Sequence, residues 1–317
     1  MAKILEELKG ARTVAISGHV RPDGDCIGSC MGLYLYLKKA LPEVRTDIYL
    51  EQPSRIFSCI DRIEEVKTDC GEDIVYDAFI AVDTASDRLG AAEKYFKTAK
   101  RTINVDHHIS NAKGCGQINH VDAAASSASE LVYDLMEEEL VDASIAKAIY
   151  IGIIHDTGVF QYSNTSPRTL MTAAKLISYG FDFSRLIDET FYEKTYVQNQ
   201  ILGRALLESI LFMDGRCIVS AIDRKTMDFY NAAPGDLDGI VSQLRIIKGV
   251  ECAIFMYQTG PQEYKVSMRS NGRVDVAAVA SYFGGGGHIR AAGCTLQGTY
   301  YDCINNLSLH IEKQLEA

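Results

Sequence analysis

Four short stretches of the chain join acidic or imidazole side chains to the end of an apolar run. The segment Gly18–Asp25 offers His19, Asp23 and Asp25 in a Gly/Asp-rich loop. Asp83 follows the AFIAV of residues 78–82, and Asp106, His107 and His108 follow the TINV of residues 102–105. Asp156 ends an apolar stretch that begins at residue 143. Brought together, Asp23, Asp25, Asp83 and Asp156 would repel one another and raise each other's pKa. A pair of divalent cations would balance these carboxylates, and His19 and His107 would add neutral nitrogen donors. A mixed imidazole–carboxylate set without thiolate suits Mn²⁺, with Mg²⁺ or Co²⁺ as alternatives. Two ions about 4 Å apart equip a site for in-line displacement at phosphorus, because they activate a water and hold the phosphoryl oxygens as charge develops. Singly, each stretch has a plainer explanation: a turn, a strand-end residue, a histidine pair in a loop, a carboxylate set against a helix dipole. Their conjunction is what points to metal chemistry.

The elements must do the gathering. Thr13–Ser17, Ala78–Val82 and Thr102–Val105 read as short buried strands, and helices are expected at about 27–40, 127–137 and 143–156. Strands alternating with helices imply an α/β fold, a mainly parallel sheet with helices on both faces. In such sheets the loops at the carboxyl ends of the strands share one edge, where ligands bind. Local signals set the helix ends: a capping box from Ser127 to Glu130, Asp142 as a cap, Gly158 as a stop, and Pro167 in the first turn after Asn164–Ser166. Residues 183–212 read as helical throughout, with no strand signal. Strands return at 217–222, 251–257 and 263–268, then a helix at 274–282 and a closing helix from about Tyr300. The division expected is 1–185 for the metal-binding domain, 186–212 for a helical linker and 213–317 for a smaller C-terminal α/β domain.

The second domain carries Gly284–Gly287 followed by His288. Consecutive glycines let backbone N–H groups approach an anion. His288 can donate to a phosphate, and Arg269, beside Ser270, can pair with one in bidentate fashion. His120 and His155 fit no ligand spacing and are expected in structural hydrogen bonds. His310 is expected at the surface, and Cys26 and Cys30 in core packing.

The chain of 317 residues is 47% hydrophobic and 23% charged, with a net charge of −10 and no basic run. A long nucleic-acid duplex calls for a basic face, so small anions or chain ends are the expected partners. Nine scattered cysteines without a C-x-x-C do not resemble a structural zinc site or a secreted disulfide framework. The charged, amphipathic segment Met1–Arg12 lacks a signal-peptide core, and no stretch of about 18 apolar residues occurs. A cytoplasmic setting without membrane attachment is expected, and a homodimer is left open.

GHVRPDGDCIGS, AVDTASDRLG, VDHH, GIIHDTGVFQYSNT and FGGGGHIRAAG, in this order from about residue 14 to 294, resemble the signature motifs of the DHH phosphoesterase superfamily. FGGGGHIRAAG, with SMRS before it, resembles the DHH-associated substrate-binding domain. The nearest group by resemblance is the stand-alone nanoRNase/pAp-phosphatase enzymes. The resemblance implies that His19, Asp23 and Asp83 hold one Mn²⁺, and that Asp25, Asp83, His107 and Asp156 hold the other. It implies that Asp106 orients a histidine of the pair and that His108 meets the scissile phosphate or leaving oxygen. Arg269, Ser270, Gly285, Gly286, Gly287 and His288 would bind the distal part of the substrate. The activity implied is hydrolysis of short oligoribonucleotides and linear dinucleotides such as pApA, and of 3′-phosphoadenosine 5′-phosphate to AMP. Two positions depart from the pattern: His155 replaces a small hydroxyl residue, and Ala128 replaces Thr. The competing readings are a DHH-type inorganic pyrophosphatase and a cyclic or linear dinucleotide-binding protein.

Overall fold

The computed structural model describes residues 3–316, and the chain divides into two compact units, Met1–Glu193 and Lys194–Ala317. Of the N-terminal helix expected over Met1–Arg12, Met1 and Ala2 lie outside the described residues.

The first unit runs α1 (Ile4–Glu7), β1 (Thr13–Ser17), α2 (Gly24–Ala40), β2 (Arg45–Tyr49), β3 (Ala78–Val82), α3 (Glu93–Thr98), β4 (Thr102–Asp106), β5 (Ile118–Val121), α4 (Ala128–Asp134), α5 (Ala143–Asp156), α6 (Pro167–Ile177) and α7 (Phe183–Ile187). Its strands form one sheet in the order β2-β1-β3-β4-β5, every neighbour parallel. Strand alternation sends Val14, Ile16, Ile80 and Val82 into a large core with α2, α4 and α5. Ala15, Phe79 and Ala81 go to the opposite face, against Tyr49, Tyr76 and Tyr95. Both faces are therefore dry, as a parallel sheet requires. The chain leaves β1 toward β2 and returns on the other side as β3, so the order reverses between β1 and β3. The loops after these strands diverge there and open a crevice at the carboxyl edge.

The second unit runs α8 (Tyr196–Leu207), β6 (Ile210–Phe212), β7 (Cys217–Ile222), α9 (Arg224–Tyr230), α10 (Ile240–Arg245), β8 (Cys252–Gly260), β9 (Glu263–Ser270), α11 (Val276–Tyr282), β10 (Gly286–His288), β11 (Ala291–Gln297) and α12 (Tyr300–Leu315). Its sheet has the order β10-β11-β9-β8-β7-β6 and is mixed, with β7 and β8 parallel and the other pairs antiparallel. Helices α11 and α12 cover one face across β7, β8, β9 and β11. On the other face the buried residues of α8, α9 and α10 pack over β7 and β8.

The structure corrects several expectations. Residues 210–212, read as helical, form the edge strand β6; a three-residue strand is too short to show alternation. Asp25 is not in a loop, because Asp23 caps α2 and starts the helix at Gly24. His310 is half-buried, its ring 4.0 Å from that of Tyr282. No described helix is long and apolar enough to cross a membrane.

Candidate metal centre

Three of the four carboxylates at the crevice, Asp23, Asp25 and Asp156, are fixed by neutral donors. Asp23 Oδ1 accepts the Asp25 and Cys26 amides at 3.1 Å, the ordinary duty of a helix cap, which leaves Oδ2 for the crevice. Asp25, in the first turn of α2, is buried and receives the Ala128 amide at 2.7 Å and the Ser129 amide at 3.0 Å. What this site uses at position 128 is backbone, so alanine there removes no donor. Asp156, the last residue of α5, is held by Asn164, whose Nδ2 reaches Asp156 Oδ2 at 3.1 Å and the Asp156 carbonyl at 3.2 Å. The loop that returns Asn164 makes a left-handed turn, with φ of +56° at Gly158, +53° at Val159 and +66° at Phe160. A β-branched residue in that region is strained, and such strain concentrates at functional sites. Asp83 follows β3 with φ +57°, a second departure of the same kind.

The six expected ligand residues lie together. His19 Nε2 is 3.6 Å from Asp23 Oδ2 and 3.5 Å from Asp83 Oδ2. His107 Nε2 is 3.6 Å from Asp83 Oδ1, 3.8 Å from Asp25 Oδ2 and 3.7 Å from Asp156 Oδ2. These separations exceed hydrogen-bond length. They are only slightly wider than the 3.0 to 3.5 Å that roughly separates two atoms ligating one ion at about 2.1 Å. Asp83 Oδ1 is buried with no hydrogen-bond partner, and a buried carboxylate oxygen so left is costly. A cation between these atoms would resolve that cost, so the residues present fit a metal pair with Asp83 shared.

The charges agree. Burial, then Asp25, pushes the Asp83 carboxyl well above the usual range. Burial, then Asp25 and Asp23, pushes Asp156 up to about 7. Burial opposes protonation of His19, but Asp23 and Asp83 overcome it and raise the ring to about 11. In the absence of ions the cluster gathers protons in their place. His19 Nδ1 lies 2.9 Å from the Val20 carbonyl and donates to it, which turns Nε2 to the crevice.

Asp106 stands behind His108. Its Oδ1 lies 2.7 Å from His108 Nδ1, and its Oδ2 accepts Asn111 Nδ2 at 2.7 Å. The histidine's other nitrogen, Nε2, therefore stays available. Burial would raise Asp106, yet His108 and Asn111 hold it below the usual carboxylate range.

Sequence reasoning missed Asn164, Asn111 and the α4 amides, whose relevance comes only from tertiary approach. It also missed that the buried thiol of Cys26 comes within 4.8 Å of the donor atoms of His19 and Asp83. His155 Nε2 meets Thr190 Oγ1 at 3.3 Å, and burial holds its ring down to about 4, hence neutral. His120 Nε2 meets Glu7 at 2.8 Å.

In the second unit, Arg269 and Gly284–Gly287 line one cavity of about 580 Å³. Ser270 does not join them. It points to the opposite face of β9, is buried, and its Oγ accepts the amides of Gly272 and Val274 at 3.0 and 3.3 Å. Gly285 and Gly287 serve the sheet, since a Cβ would meet Gly293 O at 2.2 Å or Ala291 O at 2.4 Å. Gly286 faces open space, and His288 is exposed at the end of β10.

Residues 13–153 match the DHH family N-terminal domain, and residues 214–317 match the DHHA1 domain. The chain is 32% identical over 307 residues to the bifunctional oligoribonuclease and PAP phosphatase NrnA of Thermus thermophilus, covering 95% of this chain and 89% of that one. It is 29% identical over 289 residues to the protein of the same name from Bacillus subtilis, covering 90% and 89%. A crystal structure of an exopolyphosphatase-related protein from Bacteroides fragilis superposes with a TM-score of 0.87 at 23% identity, covering 98% of this chain and 94% of that one, a likeness of fold.

Proposed function

We infer, from the premise that the chain belongs to the DHH family, that it is a metal-dependent phosphoesterase. Its substrates are short oligoribonucleotides, down to linear dinucleotides such as pApA, and 3′-phosphoadenosine 5′-phosphate; relatives named as oligoribonuclease and PAP phosphatase support the oligoribonucleotide and the phosphatase parts of this reading. His19, Asp23 and Asp83 hold one ion; Asp25, Asp83, His107 and Asp156 hold the other. The donor set favours Mn²⁺. When bound, the ions polarise phosphoryl oxygens and make a water acidic enough to ionise near neutral pH.

The chain's own residues do the rest. Asp106 keeps the His108 ring in one orientation, and its bond to Nδ1 is the main cause of that ring's raised pKa. His108 Nε2–H then donates to the scissile phosphate or to the leaving oxygen. The second unit, with Arg269 and the glycine run, binds the remainder of the nucleotide. The proposal keeps a metal-binding domain followed by a substrate-binding domain, with α8 and β6 of the segment 186–212 counted in the second unit. It places the protein in the cytoplasm, in keeping with its nine free cysteines.

The observation that carries this reading is Asp83. Its buried carboxylate lies between His19 on one oxygen and His107 and His108 on the other, with Oδ1 lacking any hydrogen bond. Asp83→Ala is expected to abolish Mn²⁺-dependent release of AMP from pApA. Unchanged turnover in that variant refutes the assignment.

A further inference from the structure

The two faces of the second unit's sheet are covered unequally, and the difference leaves a trough. Helices α11 and α12 span one face, whereas the core under α8 to α10 stops at β8. Beyond that step the outward side chains of β9 and β11 form a floor. Arg269 pairs in register with Ala291, Ser267 with Gly293, and Lys265 with Thr295.

Two hollows share this floor. One, of about 580 Å³, runs toward Gly284–Gly287. The other, of about 300 Å³, runs back under the step, walled by Phe255, Tyr257 and the turn from Pro234 to Gly239. Lys265, Ser267 and Arg269 line both hollows, so they are the two ends of one trough. The glycine end was legible as an anion site. The end under the step corresponds to no motif in the sequence.

We propose that the end under the step is a nucleobase slot. The base of a nucleoside monophosphate unit lies against Tyr257, and its phosphate lies along Lys265, Ser267 and Arg269. Tyr257 is half-buried and offers a ring, and Lys265 Nζ sits 6.0 Å from its centroid. Tyr257 stands directly across from Lys265 in the β8–β9 ladder, so the flat surface and the cation are fixed relative to each other. Asp238 at the rim supplies an acceptor for an exocyclic amine. An aromatic face beside cations is the arrangement by which proteins hold single-stranded nucleotides without reading a long polymer. The inference rests on the nucleotide-hydrolase reading and adds where the base goes.

The test measures binding, not turnover, so its failure is separable from failure of the catalytic assignment. Calorimetry with the full chain carrying Asp83→Ala, free of divalent ions, compares AMP with ribose 5-phosphate. AMP is expected to bind more tightly. Tyr257→Ala should raise the AMP Kd on the order of tenfold and leave ribose 5-phosphate unchanged. Tyr257→Phe should keep AMP binding, and Lys265→Met should weaken both ligands alike. Tyr257→Leu, which refills the space without a ring, guards against a folding defect and should behave as the alanine variant does. Equal affinity of the two ligands before any change at Tyr257 overturns the proposal, as does a Tyr257→Leu variant that binds AMP normally.

Discussion

The approach of α2 to α5 should set the metal centre, and one methyl group tests it. A Cβ at Gly28 would lie 2.6 Å from both Ala148 O and Gly152 N, and 2.8 Å from Gly152 Cα. Ordinary contact begins at 3.4 Å, so the helices must separate by about 3.4 − 2.6 = 0.8 Å. Backbone cannot rotate away as a side-chain tip can. Asp25 rides on the first turn of α2 and Asp156 on the last of α5, each within 3.8 Å of His107 Nε2. Gly28→Ala is thus expected to cost about 1–3 kcal/mol of stability through overpacking. It should also lower activity by on the order of 10²-fold, the usual penalty for misplacing a reacting group by about 1 Å. The assay is AMP release from pApA across a Mn²⁺ titration, with a thermal melt alongside; the variant should need more metal. Gly32→Ala is the control. One turn on, its Cβ meets Ile149 Cδ1 at 2.5 Å, the end of a flexible side chain, while the nearest backbone atom stands at 3.6 Å. It should lose stability but keep its metal requirement. Wild-type metal dependence in Gly28→Ala, or equal impairment in the two variants, refutes the reasoning.

Asn164→Ala removes the donor that holds Asp156 while leaving every proposed ligand, so a Mn²⁺ titration should show half-maximal activity only at roughly 10- to 100-fold higher metal, the typical effect of losing such a support. His155 packs on Gly24, where a Cβ would fall 2.2 Å from the ring and 2.4 Å from the His155 Cβ; Gly24→Ala should therefore be inactive, and adding His155→Gly, which removes both atoms, should restore most activity, with no rescue ruling out the steric account. Metal-free protein should melt lower at pH 8 than at pH 5. Folded Asp156 keeps its proton up to about 7, and folded His19 keeps one up to about 11, so the folded state holds protons the unfolded chain has already released, and stability falls as pH rises through those windows. Saturating Mn²⁺ should shrink or reverse that difference in Tm, because the ions bind the ionised forms.

Much of this was readable in the residues. The strands β1, β3 and β4 are short and largely apolar, and a parallel sheet puts their carboxyl ends on one edge, so the ligand candidates after these three strands had to meet; that rule does not place Asp156 at the end of the helix α5. Strand β2 escaped because Asp47 interrupts it; that carboxylate is buried and accepts Tyr76 Oη at 2.6 Å, a partnership no local pattern announces. Ser270 was misplaced although the signal existed. Alternation along β9 puts it on the face of Val266 and Met268, away from Arg269. Asn164 reaches Asp156 only through a left-handed turn at Gly158–Phe160, which Val159 and Phe160 would not advertise.

The supports of the cluster share one property that bears on what the site is for. Asp25 is met by backbone amides, Asp156 by a side-chain amide, Asp23 by the amides of its own helix, and Asp83 Oδ1 by no hydrogen bond. All of these orient without neutralising. Histidines are ion-pair partners of all four, while arginines elsewhere in the same unit answer buried carboxylates directly, as Arg168 does Glu130 at 3.3 Å. A protein that needed these carboxylates only as structure would spare the desolvation cost by placing a fixed cation among them, as it does at Glu130. Here the charge is assembled, aimed by neutral donors and left for exchangeable cations to balance. Placing a lysine at Ser129, whose Oγ lies 1.8 Å from where a Gly152 Cβ would stand, itself 2.9 Å from Asp25 Oδ1, should accordingly remove the metal dependence of stability together with the activity. A Ser129→Lys variant still stabilised by Mn²⁺ to the wild-type extent would mean that the ions balance a different charge.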